Sequence, residues 1–387
     1  MAAAMSAYVG TADLSVTDFA ALCQQRCTTA DYPHSSDVQA NVLIYEASTL
    51  SEALDSDPRP LMSELHRAFR HGPGVLVVRQ AFTDGALIDR HSRVFERILE
   101  EEAKTGAGAD HFAKPGANGR IWNSLQKAAL LAPESFIEYY SNPLLGLIAE
   151  AWLGPCYQVT AQVNVVRPGA AAQQPHRDYH LGFQTVDVLE HYPLDVQVMS
   201  QYLTLQGAVA HTDMPIESGP TLLLPFSQQY DLGFLAWRDP AFIDYFHEHA
   251  VQLPLAKGDL LFFNPALFHA AGTNRTEHLH RMANLLQISS AFGKTMETID
   301  YDRMMLALYP GLLKGLEQNE LGERSLEAVI ATAAQGYSFP TNLDTDPPLK
   351  GLAPTTGQQL LREALRERRP FSAFAAQVDD MRRKRRA

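Results

Sequence analysis

Residues 157–169, YQVTAQVNVVRPG, mark a change of period in this sequence. Gln162 and Asn164 fall on one face, and Ala161, Val163 and Val165 on the other, which is the two-residue repeat of a strand. A polar face is costly to bury without partners. A polar ligand inside a barrel would meet that cost, so this strand predicts a site as well as a sheet.

Upstream, the spacing is helical. PRPLMSELHRAFRHG places Leu61, Leu65 and Phe69 at i, i+4 and i+8 and stops at Gly72. GVLVVRQAF is a short apolar strand. TDGALIDRHSRVFERILEEEAKTG returns to helix, with Leu87, Ile88, Val94, Phe95 and Ile98 on one broad side, and NPLLGLIAEAWLG is a helix closed by Gly154. Downstream, DVQVMSQYLTL, PTLLLPF, AVQLPL, DLLFFNP and RMANLLQISSAF read as strands separated by Gly, Pro and Asp turns. Many short strands without alternating long helices favour a β-sandwich or jelly roll over a doubly wound sheet. After Phe292 the sequence is helical again, through METIDYDRMMLALYPGLLKGL, SLEAVIATAAQGY and TGQQLLREALRERR, with a turn-rich connector before the last.

A chain of 387 residues carries one large core or two modest ones. Its 32 basic and 44 acidic residues give a net charge of −12, which argues against a nucleic-acid or anionic-membrane binder. The one basic block, at Arg382–Arg386, reads as a solvated helix end favoured by the helix dipole. Cys23, Cys27 and Cys156 make no secreted disulfide framework, and Cys156, among apolar neighbours, is expected to be buried. The opening MAAAMSAYVG lacks the pattern of a signal peptide, and no apolar run is long enough for a membrane span. A reducing, cytoplasmic setting is expected.

Two His-x-Asp pairs stand out, His176/Asp178 in PHRDYHLG and His211/Asp213 in AHTDMPIESGP. In extended chain such a pair aims an imidazole nitrogen and a carboxylate oxygen at one point. A distant His then completes a facial triad whose open side admits substrate and oxygen at Fe(II). His269, beyond the apolar run GDLLFFNPALFH, is the candidate third ligand. His176 and Asp178 are favoured because the polar-faced strand precedes them, whereas His211 and Asp213 read as part of a loop at the pocket's edge. A 2-oxo acid co-reductant would need a cationic clamp for its far carboxylate. Arg281, at the start of RMANLLQISS, suits that role better than Arg275 in the polar turn TNRTEH.

With these residues in order, the chain resembles the phytanoyl-CoA dioxygenase family of Fe(II)/2-oxoglutarate oxygenases, over roughly residues 75–292. The family's ordered signature is a strand Asn, His-x-Asp, an acidic turn leading to PGSH, a GD strand, the distal His and a later Arg. The resemblance implies that Fe(II) is held by His176, Asp178 and His269, and that 2-oxoglutarate meets Arg281 and Asn164, with Gln162 on the same strand face. It places no ligand at His211 or Asp213. Ala271 stands where the family often has Ser or Thr, and Thr273 is expected to substitute; PFSQ, residues 225–228, replaces PGSH. Asp178 is intact, which disfavours the halogenating relatives.

The expected architecture is mainly β with helical additions, a double-stranded β-helix (jelly roll, cupin-like) core packed by N- and C-terminal helices. Residues 1–73 are read as a mostly helical extension, 74–295 as the oxygenase core with flanking helices and 296–387 as a C-terminal helical extension, integrated in one catalytic domain. The implied reaction is hydroxylation of an unactivated C–H bond of a small molecule with O2, releasing succinate and CO2. Arg120, Trp122, Arg167, Tyr179 and Phe183 are candidate substrate contacts, and Arg120 would suit an anionic substrate. Two rival readings are a jelly-roll metalloenzyme that uses no 2-oxoglutarate and a non-catalytic binding module on the same fold.

Overall fold

The computed structural model describes residues 6–105, 118–348 and 351–386. Helix exceeds strand in residue count, 46% against 15%, but the strands hold the centre. The strands are β1 (Asp37–Gln39), β2 (Val42–Glu46), β3 (Val75–Arg79), β4 (Asn118–Ile121), β5 (Gln158–Val166), β6 (Thr204–Ala210), β7 (Leu222–Leu223), β8 (Leu260–Phe263), β9 (His269–Ala270) and β10 (Arg281–Ser289). Eight form one large sheet in the order β1-β2-β3-β8-β6-β10-β5-β4, and β7 pairs with β9 in a second layer. Isolated bridges extend that layer on both sides, His176 to His269 and Leu223 to Val251. The result is a jelly roll with one full sheet and one reduced to short extended pieces.

Alternation sorts the large sheet's side chains. Val42, Ile44, Val75, Val77, Leu261 and Phe263 face the second layer and form the barrel interior. Their neighbours Leu43, Tyr45, Leu76, Val78, Leu260 and Phe262 face outward into the main helical core. Apolar on both faces, β2, β3 and β8 are therefore continuous hydrophobic runs. Most of the helices cover the outer face, chiefly Arg59–Arg70, Gly85–Thr105, Pro133–Tyr140, Pro143–Leu153 and Tyr301–Glu317. Gly154, at φ 74°, ends the fourth of these where a side chain would be strained.

Several sequence expectations change here. Residues 37–46, in the segment read as mostly helical, form β1 and β2, and β2 pairs in parallel with β3. The strand expected in DVQVMSQYLTL begins only at Thr204; Leu194–Ser200 is helix. The alternating valines there are only half-buried, and the buried residues are Gln197 and Ser200, three apart, with Gln197 Nε2 donating to the Leu189 and Tyr192 carbonyls. PTLLLPF shrinks to the two residues of β7, and AVQLPL to single bridges at Val251 and Leu255 around Pro254, which has no N–H to donate. Cys156 is half-exposed, at φ 63° in the turn before β5. The C-terminal basic block ends the helix Phe371–Lys384, where Arg382 pairs with Asp379, and Arg383 and Lys384 with Asp380. Among the described residues, no helix is long and apolar enough to cross a membrane.

Candidate metal centre and active site

His176 and His269 sit opposite each other in antiparallel pairing, the His176 amide donating to the His269 carbonyl (3.0 Å) and the reverse bond spanning 3.2 Å. This pairing fixes the two rings 4.4 Å apart. Asp178, two residues beyond His176, is anchored by its amide to the Pro265 carbonyl (3.1 Å). Its Oδ2 lies 3.8 Å from His176 Nε2 and 3.6 Å from His269 Nε2. Among the described residues this is the one group of His, Cys, Asp and Glu side chains able to share a metal ion, its ligand atoms all within 4.8 Å of one another.

The tautomers follow from the outer bonds. His176 Nδ1 lies 2.9 Å from the Gln174 carbonyl and His269 Nδ1 2.9 Å from the Leu267 carbonyl. A carbonyl only accepts, so each Nδ1 carries the hydrogen and each Nε2 keeps its lone pair for the centre. Gln206 Nε2 donates to Asp178 Oδ2 (2.6 Å), which orients the carboxylate. Burial alone would raise the Asp178 carboxyl; the adjacent His176 and His269 and the bond from Gln206 outweigh it and hold it well below the usual carboxylate range.

The triad opens on a cavity of about 640 Å³. Its sheet wall is set by register: Arg120 on β4 pairs with Asn164 on β5, which pairs with Ala283 on β10, so all three side chains share the inner face. Arg281 pairs with Val166 at the same end and also lines the cavity. Its side chain makes no ion pair among the described residues, its Nη1 is sealed from solvent without a partner, and burial lowers its pKa to about 10. An uncompensated buried guanidinium is costly, and a carboxylate entering the cavity would offset that cost. The chain thus offers a hard-ligand metal set and a carboxylate clamp on one space, and the residues present fit iron with 2-oxoglutarate.

Gln162 and Asn164 both line the cavity; Gln162 accepts from Arg120 Nη1 (3.1 Å) and donates to Met296 Sδ (3.2 Å). Asn164 Oδ1 is buried without a partner. Of the candidate substrate contacts, Arg120 and Phe183 line the cavity and Trp122, Arg167 and Tyr179 do not. Trp122 supports Arg120, whose guanidinium carbon lies 5.1 Å from its ring, and Tyr179 meets Phe183 edge to face at 5.9 Å. Arg167 is exposed. Thr273 also lies outside the cavity lining, its hydroxyl accepting from the Ala172 amide (3.0 Å), while Ala271 is on the wall.

The second His-x-Asp pair is not at the pocket's edge. Alternation carries His211 to the outer face, where Nδ1 donates to Ser92 Oγ (2.8 Å) and Nε2 accepts from Tyr139 Oη (2.8 Å). Ser92 spends its own hydrogen on the Ile88 carbonyl (2.9 Å), which fixes these directions. Both ring nitrogens are consumed. Asp213 is exposed and accepts from the Lys257 amide.

Sequence reasoning missed Gln206, Gln287, Trp237 and Arg238, all on the cavity wall. The polar-face signal that found Gln162 and Asn164 also exists in TLQGAVA and NLLQIS, where Gln206 and Gln287 pair across β6 and β10. Trp237 and Arg238, in a turn between two helices, left no periodic signal.

A jelly roll with a two-histidine, one-carboxylate centre and a buried arginine on the same chamber defines a class, the non-haem iron oxygenases that take a 2-oxo acid as co-substrate. The chain matches the phytanoyl-CoA dioxygenase (PhyH) family over residues 71–283 and belongs to it. It is a non-haem iron, 2-oxoglutarate-dependent dioxygenase that uses Fe(II), 2-oxoglutarate and O2. It is 28% identical over 260 residues to "Dioxygenase trt7" of Aspergillus terreus (strain NIH 2624 / FGSC A1156), covering 66% of this chain and 82% of that one. Among solved structures it is similar to the non-heme alpha ketoglutarate dependent carbocyclase SnoK from nogalamycin biosynthesis, at 19% identity, 59% of this chain, 83% of that chain and a TM-score of 0.43. It is also similar to the epimerase SnoN of the same biosynthesis, at 17% identity, 61% and 84% coverage and a TM-score of 0.41.

Proposed function

We propose that the chain hydroxylates an unactivated C–H bond of a small molecule, with release of succinate and CO2. His176, Asp178 and His269 hold the iron, and Arg281 binds the far carboxylate of 2-oxoglutarate. When bound, iron and 2-oxoglutarate together activate oxygen and supply the oxidising equivalent. The observation that carries the reading is the unpaired buried Arg281 opening on the same cavity as the triad. A jelly-roll metalloenzyme without a 2-oxo acid, or a binding module, would have no use for it.

The protein's own part is position and charge. Two backbone carbonyls hold both imidazoles with Nε2 free, Gln206 fixes the carboxylate plane, and Asn164 with Gln162 supplies polar contacts beside the co-substrate. Arg120 and Phe183 face the substrate, steadied by Trp122 and Tyr179. Arg120 and Arg238, on the cavity wall beyond the clamp, favour an anionic substrate. The three unpaired cysteines fit a cytoplasmic setting.

Anaerobic addition of Fe(II) and then 2-oxoglutarate should produce a visible charge-transfer band that is weakened at least tenfold in apparent 2-oxoglutarate affinity by Arg281→Ala. Absence of the band, or an Arg281→Ala protein indistinguishable from wild type, overturns the reading. Candidate substrates are then scored by succinate formed.

A further inference from the structure

A second guanidinium on the cavity wall, part-buried, has no counter-ion among the described residues. Arg238 lies in the turn between the helices Gly233–Ala236 and Pro240–His249, its guanidinium carbon 3.7 Å from the centroid of the Trp237 ring. Nη2 donates to the Gly182 carbonyl (3.2 Å), just beyond the iron-ligand segment. Arg238 Nη1 and Trp237 Nε1 are both sealed from solvent without acceptors, and both side chains line the cavity with Gly182 and Phe183. Arg238 makes no ion pair among the described residues, and burial lowers its pKa with no carboxylate acting against it.

Water could satisfy the loose hydrogen bonds, whereas a carboxylate would satisfy them and pair with the charge. The indole holds the guanidinium in one plane, so its N–H edge is presented in a fixed direction, a geometry that matches a planar carboxylate. Arg120 already donates to Gln162, and Arg281 sits on the sheet at Val166 as the clamp for the co-substrate. Two carboxylates, one from each reactant, would leave neither Arg281 nor Arg238 unpaired.

We propose that Arg238 and Trp237 form the anchor for a carboxylate of the substrate, which is therefore an amphipathic organic acid whose apolar body runs along Phe183 and the apolar wall at Leu261 and Leu285. This assignment rests on reading the cavity as the substrate chamber of a 2-oxoglutarate oxygenase. It assigns these residues to substrate and not to co-substrate.

The test uses the full chain loaded anaerobically with Fe(II) and saturating 2-oxoglutarate, titrated calorimetrically with 2-naphthoate, 2-naphthamide and 2-naphthyl phosphate. A charge-assisted bond predicts naphthoate at least about tenfold tighter than the amide. Arg238→Gln should remove that preference while leaving amide binding and the charge-transfer band unchanged, and Arg238→Lys should keep part of it. The assignment is overturned if wild type does not prefer acid over amide, through equal binding or none, or if Arg238→Gln keeps the preference. A preference for the phosphate over the carboxylate of more than about tenfold overturns the choice of anion. A missing band strikes instead at the proposed function, since the acid–amide comparison is read by heat and does not depend on it.

Discussion

Arg177 and Phe268 meet behind the metal centre, the guanidinium carbon 5.2 Å from the ring centroid. Arg177 is the middle residue of His176–Asp178, and Phe268 immediately precedes His269. The contact therefore ties the two ligand-bearing segments together. A second ring, Phe234, lies 5.4 Å from the same carbon, and Nη2 donates to the Ser227 (2.6 Å) and Tyr230 (2.9 Å) carbonyls. PFSQ, the departure from the family's PGSH, supplies one of these carbonyls and places Gln228 to donate to the Gly72 carbonyl (2.8 Å).

Crowding at this contact is predicted to loosen the iron site from a distance in sequence. A Cβ at Gly233 would lie 1.9 Å from Arg177 Cζ, so Gly233→Ala should cost about 1–3 kcal/mol by overpacking. Arg177→Met removes two buried hydrogen bonds from a charged donor, although the Ser227 and Tyr230 carbonyls keep their backbone donors, and should cost about 1–3 kcal/mol. Urea unfolding and Fe(II) titration should show both losses together; a Gly233→Ala protein with wild-type stability and iron affinity contradicts the packing account.

The two aspartates separate the centre from its look-alike. Asp178→Ala should lose bound iron and all succinate formation, because one of three ligand atoms is gone. Asp213→Ala gives up a surface bond to the Lys257 amide and should retain both. Metal content by atomic absorption decides the matter, and the reverse pattern would sink the assignment.

Acid should destabilise the fold through His211. Burial lowers its pKa to about 3, whereas an unfolded histidine titrates near about 6.5. Between those values the unfolded chain holds the extra proton, so stability falls as pH drops through that window, by about 1.4 kcal/mol per pH unit from this residue at most. Burial lowers His91, stacked at 4.0 Å on the same Tyr139, in the same direction. His211→Gln should be less stable than wild type near neutrality and should show a shallower loss towards acid, read as urea midpoints across pH. Equal slopes would refute the attribution.

Glu297 carries the opposite sign. Burial raises its pKa to about 7, although the Asn123 amide donates to it (2.5 Å) and Lys127 and Arg120 lower it. The folded chain holds this proton where the unfolded chain has released it, so stability falls as pH rises from about 4.3 through about 7. Glu297→Gln keeps an oxygen for the Asn123 amide and removes the charge. Its melting temperature should exceed wild type above pH 7 and gain nothing at acid pH; a variant less stable at both ends would reject this.

The sequence was most legible where alternation, spacing and burial coincide. β5 and β10 announced themselves because every second residue faces a packed helical core, and the polar remainder had only the cavity to face. His176, Asp178, His269 and Arg281 were readable from residue type and order, and they line one cavity. The valines of residues 194–200 misled because their alternation was not the buried pattern, and β1 and β2 were missed because a short strand beside helical segments has little periodicity to show. His211 and His176 share a spelling, and only three-dimensional partners distinguish a ring spent on Ser92 and Tyr139 from one with a free nitrogen. Trp237 and Arg238 come from a turn, where position depends on tertiary packing alone.

The parallel ladder between β2 and β3 has a practical consequence. A chain trimmed to the family-matched span would begin at residue 71 and leave β3 with its Leu43–Glu46 partners stripped away. It would also lack Met304, Leu308 and Leu312, buried in the core on the outer face. Such a fragment would present an apolar, unpaired strand edge to its neighbours and should aggregate before it could bind iron. The smallest folding unit extends well beyond the family-matched segment on both sides.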